Sequence, residues 1–381
     1  MQAYLDNSAT TRCSERAKDL MVKVLMEDYG NPSSLHTMGV VAERYIKEAK
    51  ERIAKTLKAD EKEILFTSGG TESNNMALIG TALANKRAGN HIITTSIEHA
   101  SVLSPLAYLE EQGFRVTYLT VDENGQISLD ELRDAVCEDT ILVSMMMVNN
   151  EIGAVEPIAE AAKIVKEKNP NTIIHVDAIQ AFGKYHIYPK RMGIDLMSVS
   201  GHKIHGPKGT GALFIKNRTK VKPIIYGGGQ QGGMRSGTEN VPGFAGLGLA
   251  TKMVYEDLEA RTVRMRAVKD RLTERLKTLP DVYINEGEAP HILSVSFVGV
   301  RSEVMLHALE EREIYVSSGS ACSSNKPAVS HVLASIGLPK DRLESTIRFS
   351  FSAENTVEQA DYAADVIEEI LPVYRKYVRK K

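Results

Sequence analysis

The sequence predicts an α/β protein: a large, doubly wound, mostly parallel sheet with a smaller α+β unit beside it. Three observations carry this expectation. Apolar runs of strand length alternate with segments of helical periodicity, the pattern of repeated strand–crossover–strand units. Polar residues cluster where those runs end, and open α/β sheets gather their ligands at the carboxyl ends of their strands. Near Tyr255 the pattern changes to a charged amphipathic helix followed by short strands. A chain of 381 residues suits one large core and a second, smaller one. The expected division is a large domain over 12–256 and a small one built from 1–11 and 257–381.

Taken in order, Tyr29-Gly-Asn-Pro-Ser-Ser34 is a turn cluster, and apolar residues at helical spacing from Met38 to Leu57 predict a surface helix. Ile64-Leu-Phe-Thr67 reads as a strand. Ser68-Gly-Gly-Thr-Glu72 then opens a helix running through Leu83. His91-Ile-Ile-Thr-Thr95 and Ile141 to Val148 are further strands, ending in Ser96-Ile-Glu-His99 and Asn149-Asn-Glu-Ile-Gly153. A helix over Ile158 to Lys168 leads to the strand Ile173-Ile-His-Val176, closed by Asp177-Ala-Ile-Gln180. After Tyr255 the sequence predicts a helix over Asp257 to Leu279, strands at Ile292–Phe297, Ile314–Val316 and Ser345–Phe351, a helix over Glu303 to Arg312, and a closing helix from Val357 to Tyr377.

Between the apolar runs Ile194–Val199 and Ala212–Ile215 lies Ser200-Gly-His-Lys-Ile-His-Gly-Pro-Lys-Gly-Thr-Gly211, which puts Lys203 on a Gly-rich turn between two core strands. Alone, this turn suits either a Schiff-base lysine or a loop lysine reaching solvent. It is not a phosphate-binding P-loop, because Pro207 rather than lysine follows Gly206. His202 and His205 sit where Gly and Pro disfavour a helix, and no His-Glu-x-x-His pattern exists, so no metal is expected. Gly227, Gly229 and Gly232 match G-x-G-x-x-G, yet glycine and proline continue where a dinucleotide-binding helix should begin.

Composition narrows the function classes. Charged residues are 25% of the chain and the net charge is −2, which points to no polyanionic nucleic-acid or membrane partner. No apolar run approaches the ~18 residues needed to span a bilayer. Cys13, Cys137 and Cys322 are widely spaced and odd in number, fitting a reducing compartment, so a cytoplasmic location is expected. Cys322 lies on the small-residue loop Ser317-Ser-Gly-Ser-Ala-Cys-Ser-Ser-Asn-Lys-Pro327, suited to displaying a reactive thiol. Cys137, and with it Cys13, reads as a small packed residue. Arg348 lies opposite Ile347 and Phe349 in an alternating strand, either exposed or forming a carboxylate fork if that face lines a cleft.

The strand-end residues are most informative together. Gly70 and Thr71 at a helix start suit a phosphate. Asp177, closing an apolar strand, is costly there unless it faces a cation or a protonated ring nitrogen. With His99, Asn150 and Lys203 these groups form the set that pyridoxal phosphate needs: a lysine for the aldehyde, a helix end for the phosphate, a carboxylate for the pyridinium nitrogen.

The chain resembles the cysteine desulfurases of the NifS/IscS type, which are class-V aminotransferases with the aspartate aminotransferase fold. The resemblance runs from Tyr4-Leu-Asp-Asn-Ser-Ala-Thr-Thr11 through Gly30-Asn-Pro-Ser-Ser34, Thr67-Ser-Gly-Gly-Thr-Glu-Ser-Asn-Asn75, Glu98-His99, Asn149-Asn-Glu-Ile-Gly153, His175-Val-Asp-Ala178, Ser200-Gly-His-Lys203 and Arg235-Ser-Gly-Thr238 to Ser318-Gly-Ser-Ala-Cys322 and Ile347-Arg-Phe-Ser350. It implies that Lys203 carries the pyridoxal phosphate aldehyde and moves the substrate Cα proton. It implies further that Asp177 pairs with the ring nitrogen, Gln180 with the phenolic oxygen, and that His99 stacks on the ring. Gly70, Thr71, Ser200 and His202 would hold the phosphate, and Thr238 would reach the phosphate of the other subunit in a homodimer. Asn150 and Arg348 would bind the substrate, L-cysteine, and Cys322 would accept its sulfur as a persulfide for an acceptor protein, either an iron–sulfur scaffold or a tRNA-thiolating enzyme.

Two departures bear on the acceptor. Asn325-Lys-Pro-Ala-Val329 stands where the family commonly has a Leu-Glu-Pro element, and the sequence ends at Lys381 without the longer C-terminal segment of some members. A selenocysteine lyase or another class-V aminotransferase is the alternative reading; it keeps Lys203 and Asp177 but does not require Cys322.

Overall fold

The computed structural model describes residues 1–318 and 330–376. Cys322 and the end of the basic tail fall outside the described residues. The chain enters through β1 (Ala3–Tyr4) and then builds a sheet of seven described strands: β2 (Ile64–Thr67), β3 (His91–Thr95), β4 (Arg115–Leu119), β5 (Thr140–Met146), β6 (Ile173–Asp177), β7 (Leu196–Ser200) and β8 (Gly211–Ile215). Their spatial order is β2-β8-β7-β6-β5-β3-β4. From β7 through β4 the pairings are parallel, and β8 runs antiparallel to both β7 and β2. A mostly parallel sheet is thus observed as expected. β5, β6 and β7 are buried along their whole length, which explains why they read as apolar runs rather than alternating ones.

A second sheet follows, with β9 (Val282–Asn285), β10 (Ile292–Phe297), β11 (Ile314–Tyr315), β12 (Ser317–Ser318) and β13 (Thr346–Ser350) as the later strands. Its order is β12-β13-β10-β9, antiparallel throughout, while β11 pairs in parallel with β1. The expected strand Ile314–Val316 is observed as β11, ending at Tyr315, and the adjoining β12 was not expected. The chain leaves one pairing at Val316 and joins another at Ser317.

Two large apolar clusters sit on these frames. One packs the helices 37–57, 158–168 and 241–256 on the seven-stranded sheet, and it draws in Leu258, Ala289 and Ile292. The other joins Ala3 and Leu5 to residues between Val268 and Leu371.

Several elements went unexpected. The helix Val241–Glu256 contains Pro242, Gly243, Gly246 and Gly248, which read as breakers. Proline is tolerated in a first helical turn. At Gly248 a Cβ would come within 2.6 Å of the Cα of Ala49, so this glycine serves close helix–helix approach. The helix Ala100–Glu111, with Pro105 inside it, and the half-exposed β4 were missed for similar reasons: tertiary packing overrides weak local signals.

Candidate active site

The site is assembled from the carboxyl ends of β2, β3, β5, β6 and β7, the N-terminal segment, and β12 and β13. Every site residue named from the sequence lines one cavity of about 290 Å³, apart from Thr238 and Cys322. Thr238 is exposed and outside that cavity. Cys322 lies outside the described residues.

The short turn Gly201–Lys203 follows β7 directly and carries Lys203. Lys203 Nζ donates to the backbone oxygens of Ser8 at 2.6 Å and Ala9 at 2.7 Å. The N-terminal segment is thereby a wall of the site. Gln180 Nε2 donates to the same Ser8 oxygen at 3.0 Å, and Thr11 Oγ1 donates to the His202 carbonyl at 2.9 Å.

Asp177 ends β6 and is 3% exposed. Its Oδ1 accepts from the Ile179 N–H at 2.9 Å and its Oδ2 from Asn74 Nδ2 at 2.8 Å, both neutral donors. Burial pushes the carboxyl above its ordinary range, against the lowering pull of these hydrogen bonds and of the His99 and Lys203 charges. Asn74, on the helix Gly70–Asn85, also donates to Ser101 Oγ at 2.9 Å. Ser101 in turn lies 2.8 Å from His99 Nδ1, which accepts from the Ser101 N–H at 3.1 Å. An acceptor at Nδ1 leaves the proton of the neutral ring on Nε2. Burial, partly opposed by Asp177, lowers the imidazole below its usual range. Sequence reasoning missed Asn74 and Ser101; the usable signal was an asparagine on the buried face of an otherwise apolar helix.

At the start of that helix Gly69 adopts φ +150°, which only glycine takes without strain, and delivers Gly70 and Thr71 to the cavity at the positive helix end. Ser200 and His202 approach from the β7 side. Burial, with Lys203 and two further lysines nearby, lowers His202 to about 4, so it is neutral at working pH.

Arg348, on β13, faces the cavity rather than solvent. Its Nη1 donates to the Asn150 carbonyl at 2.8 Å and its Nη2 to Asp6 Oδ1 at 3.0 Å. Asp6 belongs to a stretch quoted for resemblance, but sequence reasoning assigned it no role. Glu151 also lines the cavity; burial raises its carboxyl, and it accepts from Ser330 Oγ. Cys137 is not the packed apolar residue expected: it is half-buried, with Sγ 2.9 Å from Asp139 Oδ1 and 3.3 Å from His91 Nδ1.

Residues 3–362 match the aminotransferase class-V family. The chain belongs to that family. It is 42% identical to the cysteine desulfurase IscS of Clostridium botulinum, over all of this chain and 98% of that protein. It is 43% identical to the IscS of Methanosarcina thermophila, over 98% of this chain and 92% of that one. A solved NifS-like protein matches the fold with a TM-score of 0.93 at 39% identity, covering 98% of this chain and 100% of the other. Within the class-V aminotransferases the chain is thus of the NifS/IscS cysteine desulfurase type, whose cofactor is pyridoxal phosphate.

The residues present fit that cofactor. Asp177 is a buried carboxylate held by neutral donors, with no ion-pair partner among the described residues, and a protonated ring nitrogen would supply one. Across the same cavity stand an amine on Lys203 and a helix end with a hydroxyl at Thr71.

Proposed function

We propose that the chain acts as a cysteine desulfurase, taking sulfur from L-cysteine to give L-alanine and carrying it as a persulfide on Cys322 to an acceptor protein. The observation that supports this reading best is the convergence of Lys203, Asp177, His99, Thr71 and Arg348 on one cavity. Bound pyridoxal phosphate supplies an electrophilic aldehyde and an electron-accepting ring. Gly70, Thr71, Ser200 and His202 would hold its phosphate, Asp177 would keep its ring nitrogen protonated, Gln180 would meet its phenolic oxygen, and His99 would stack on the ring.

The remaining work belongs to the chain's own groups. Arg348 and Asn150 orient the substrate carboxylate. Lys203 Nζ takes the Cα proton, and its two backbone acceptors in the N-terminal segment hold it at the cavity wall. The Cys322 thiolate attacks the substrate sulfur. The new S–S bond forms as the substrate carbon–sulfur bond breaks; that electron pair, with the proton given up by the substrate thiol, completes the methyl group of alanine, and Lys203 returns the proton it took to Cα.

We further infer a large domain over 12–256 and a small one from 1–11 and 257–381, supported by the two apolar clusters. A homodimer in which the exposed Thr238 reaches the partner's phosphate is part of this reading. So are a cytoplasmic location and an acceptor that is an iron–sulfur scaffold or a tRNA-thiolating enzyme. No helix among the described residues is long and apolar enough to cross a membrane.

The test is incubation with L-cysteine and a reductant, followed by assay of alanine and sulfide, and in parallel incubation without reductant, followed by mass analysis of Cys322. A 32-Da gain on Cys322, about the mass of one sulfur atom, is expected. Cys322→Ala that still released sulfur at the parent rate would sink the reading and favour a selenocysteine lyase or another class-V activity.

A further inference from the structure

Lys203 also lines a second, narrow and partly open space of about 10 Å³, enough for one water-sized particle. His291 lines it. This residue is 1% exposed, and neither ring nitrogen has a hydrogen-bond partner among the described residues. A buried imidazole with two idle nitrogens is costly and calls for an occupant.

Lys184 and Arg261 line the same space. Lys184 Nζ donates to the Lys203 carbonyl at 2.7 Å. The charges acting on Lys184 are the cations Lys203 and Arg261, and burial together with them brings its amine down to about 7. Among the described residues the carboxylates that act on the lining cations are Glu354 and Asp257, both on Arg261; Asp257 is exposed, and Glu354, 3.6 Å from His205 Nδ1, is 61% exposed, so solvent screens them. The surplus of positive charge selects against a cation, and the small volume excludes sulfate and carboxylate ions.

We propose that this cavity is an anion site, holding one small monovalent anion of the chloride class between Lys184, Arg261 and the N–H of His291. An anion there keeps Lys184 charged and so strengthens its hold on the Lys203 backbone.

The experiment is thermal unfolding of the pyridoxal phosphate-loaded enzyme, in which the phosphate cradle is already filled. Ionic strength is held constant while sodium gluconate is exchanged for chloride, bromide or sulfate. Chloride and bromide are expected to raise Tm, by roughly 1–3 °C for each tenfold rise above their dissociation constant, and sulfate to give only the general salt increment that the parent and His291→Leu share. His291→Leu, which removes both nitrogens and fills the space, should abolish the halide increment. Should that variant not fold, a bromide-soaked crystal of the parent enzyme answers the same question through an anomalous peak in the cavity. Equal Tm in gluconate and chloride, or a cavity holding only water in the bromide-soaked crystal, overturns the proposal.

Discussion

Arg348 is held by Asp6 at 3.0 Å across the width of the molecule's sequence, first strand region to last strand. The contact, with the second bond to the Asn150 carbonyl, pre-orients a guanidinium whose Nε is buried without a partner among the described residues. A charged hydrogen bond of this kind contributes about 1.5–3 kcal/mol. Arg348→Lys keeps the charge but cannot keep the fork, and it should raise KM for L-cysteine roughly ten- to a hundredfold with a smaller change in kcat. Steady-state alanine production checks this, and an unchanged KM would remove Arg348 from substrate binding.

Asp177 supplies a prediction whose sign differs between cofactor-free and loaded enzyme. Its folded-state carboxyl is raised, so the folded chain holds the proton to higher pH than the unfolded chain does. Its ionisation therefore destabilises the cofactor-free protein progressively once pH exceeds the unfolded value near 3.9. Asp177→Asn should make the cofactor-free protein more stable at pH 8 and weaken its retention of pyridoxal phosphate. Calorimetry and cofactor titration read the two effects separately.

Glu156 gives a pH effect outside the site. Burial pushes its carboxyl up to about 7, with Oε2 accepting from the Ile127 N–H at 3.2 Å and Oε1 buried without a partner among the described residues. A raised carboxyl means stability is lost as pH climbs from the unfolded value, about 4.3, through about 7; the loss is on the order of 3 kcal/mol. Glu156→Gln, which retains an acceptor for Ile127, should flatten Tm across that window and exceed the parent at pH 8. A parent Tm that rises from pH 5 to 8 while the variant's does not would contradict this.

Gly211 opens β8 beside the phosphate cradle. A Cβ there would lie 2.7 Å from Gly69 Cα and 2.7 Å from the Val199 carbonyl oxygen, both backbone atoms that cannot rotate away. Gly211→Ala should cost about 1–3 kcal/mol and displace the Gly69–Gly70 turn. Cofactor affinity should fall with stability. Intact affinity in a destabilised variant would separate this glycine from the cradle.

Much of this site was legible because its residues end apolar strands. Asp177 after Ile173–Val176 and His99 after His91–Thr95 announce themselves as polar groups at core depth, and Lys203 as a cation between two buried runs. Asn74, Ser101 and Asp6 did not, because each acts through a partner far away in sequence. Asn74 meets Asp177, and Asp6 meets Arg348. The helix Val241–Glu256 was hidden by glycines whose purpose, close approach to the helix Thr37–Leu57, exists only after folding.

The reversal of β8 against β7 has a consequence for assembly of the chain. Lys203 rides on a connection that pairs Ser200 with Gly211, a contact between near neighbours in sequence. His99 and Asp177 reach the same cavity only after long parallel crossovers have closed, and Thr71 only after β2 has paired antiparallel with the distant β8. Closing a short loop sacrifices less chain entropy than closing long ones. The lysine's local frame is thus able to form while the nascent chain still lacks a pocket around it, and a competent home for the vitamin-derived group arises only when the distant segments dock.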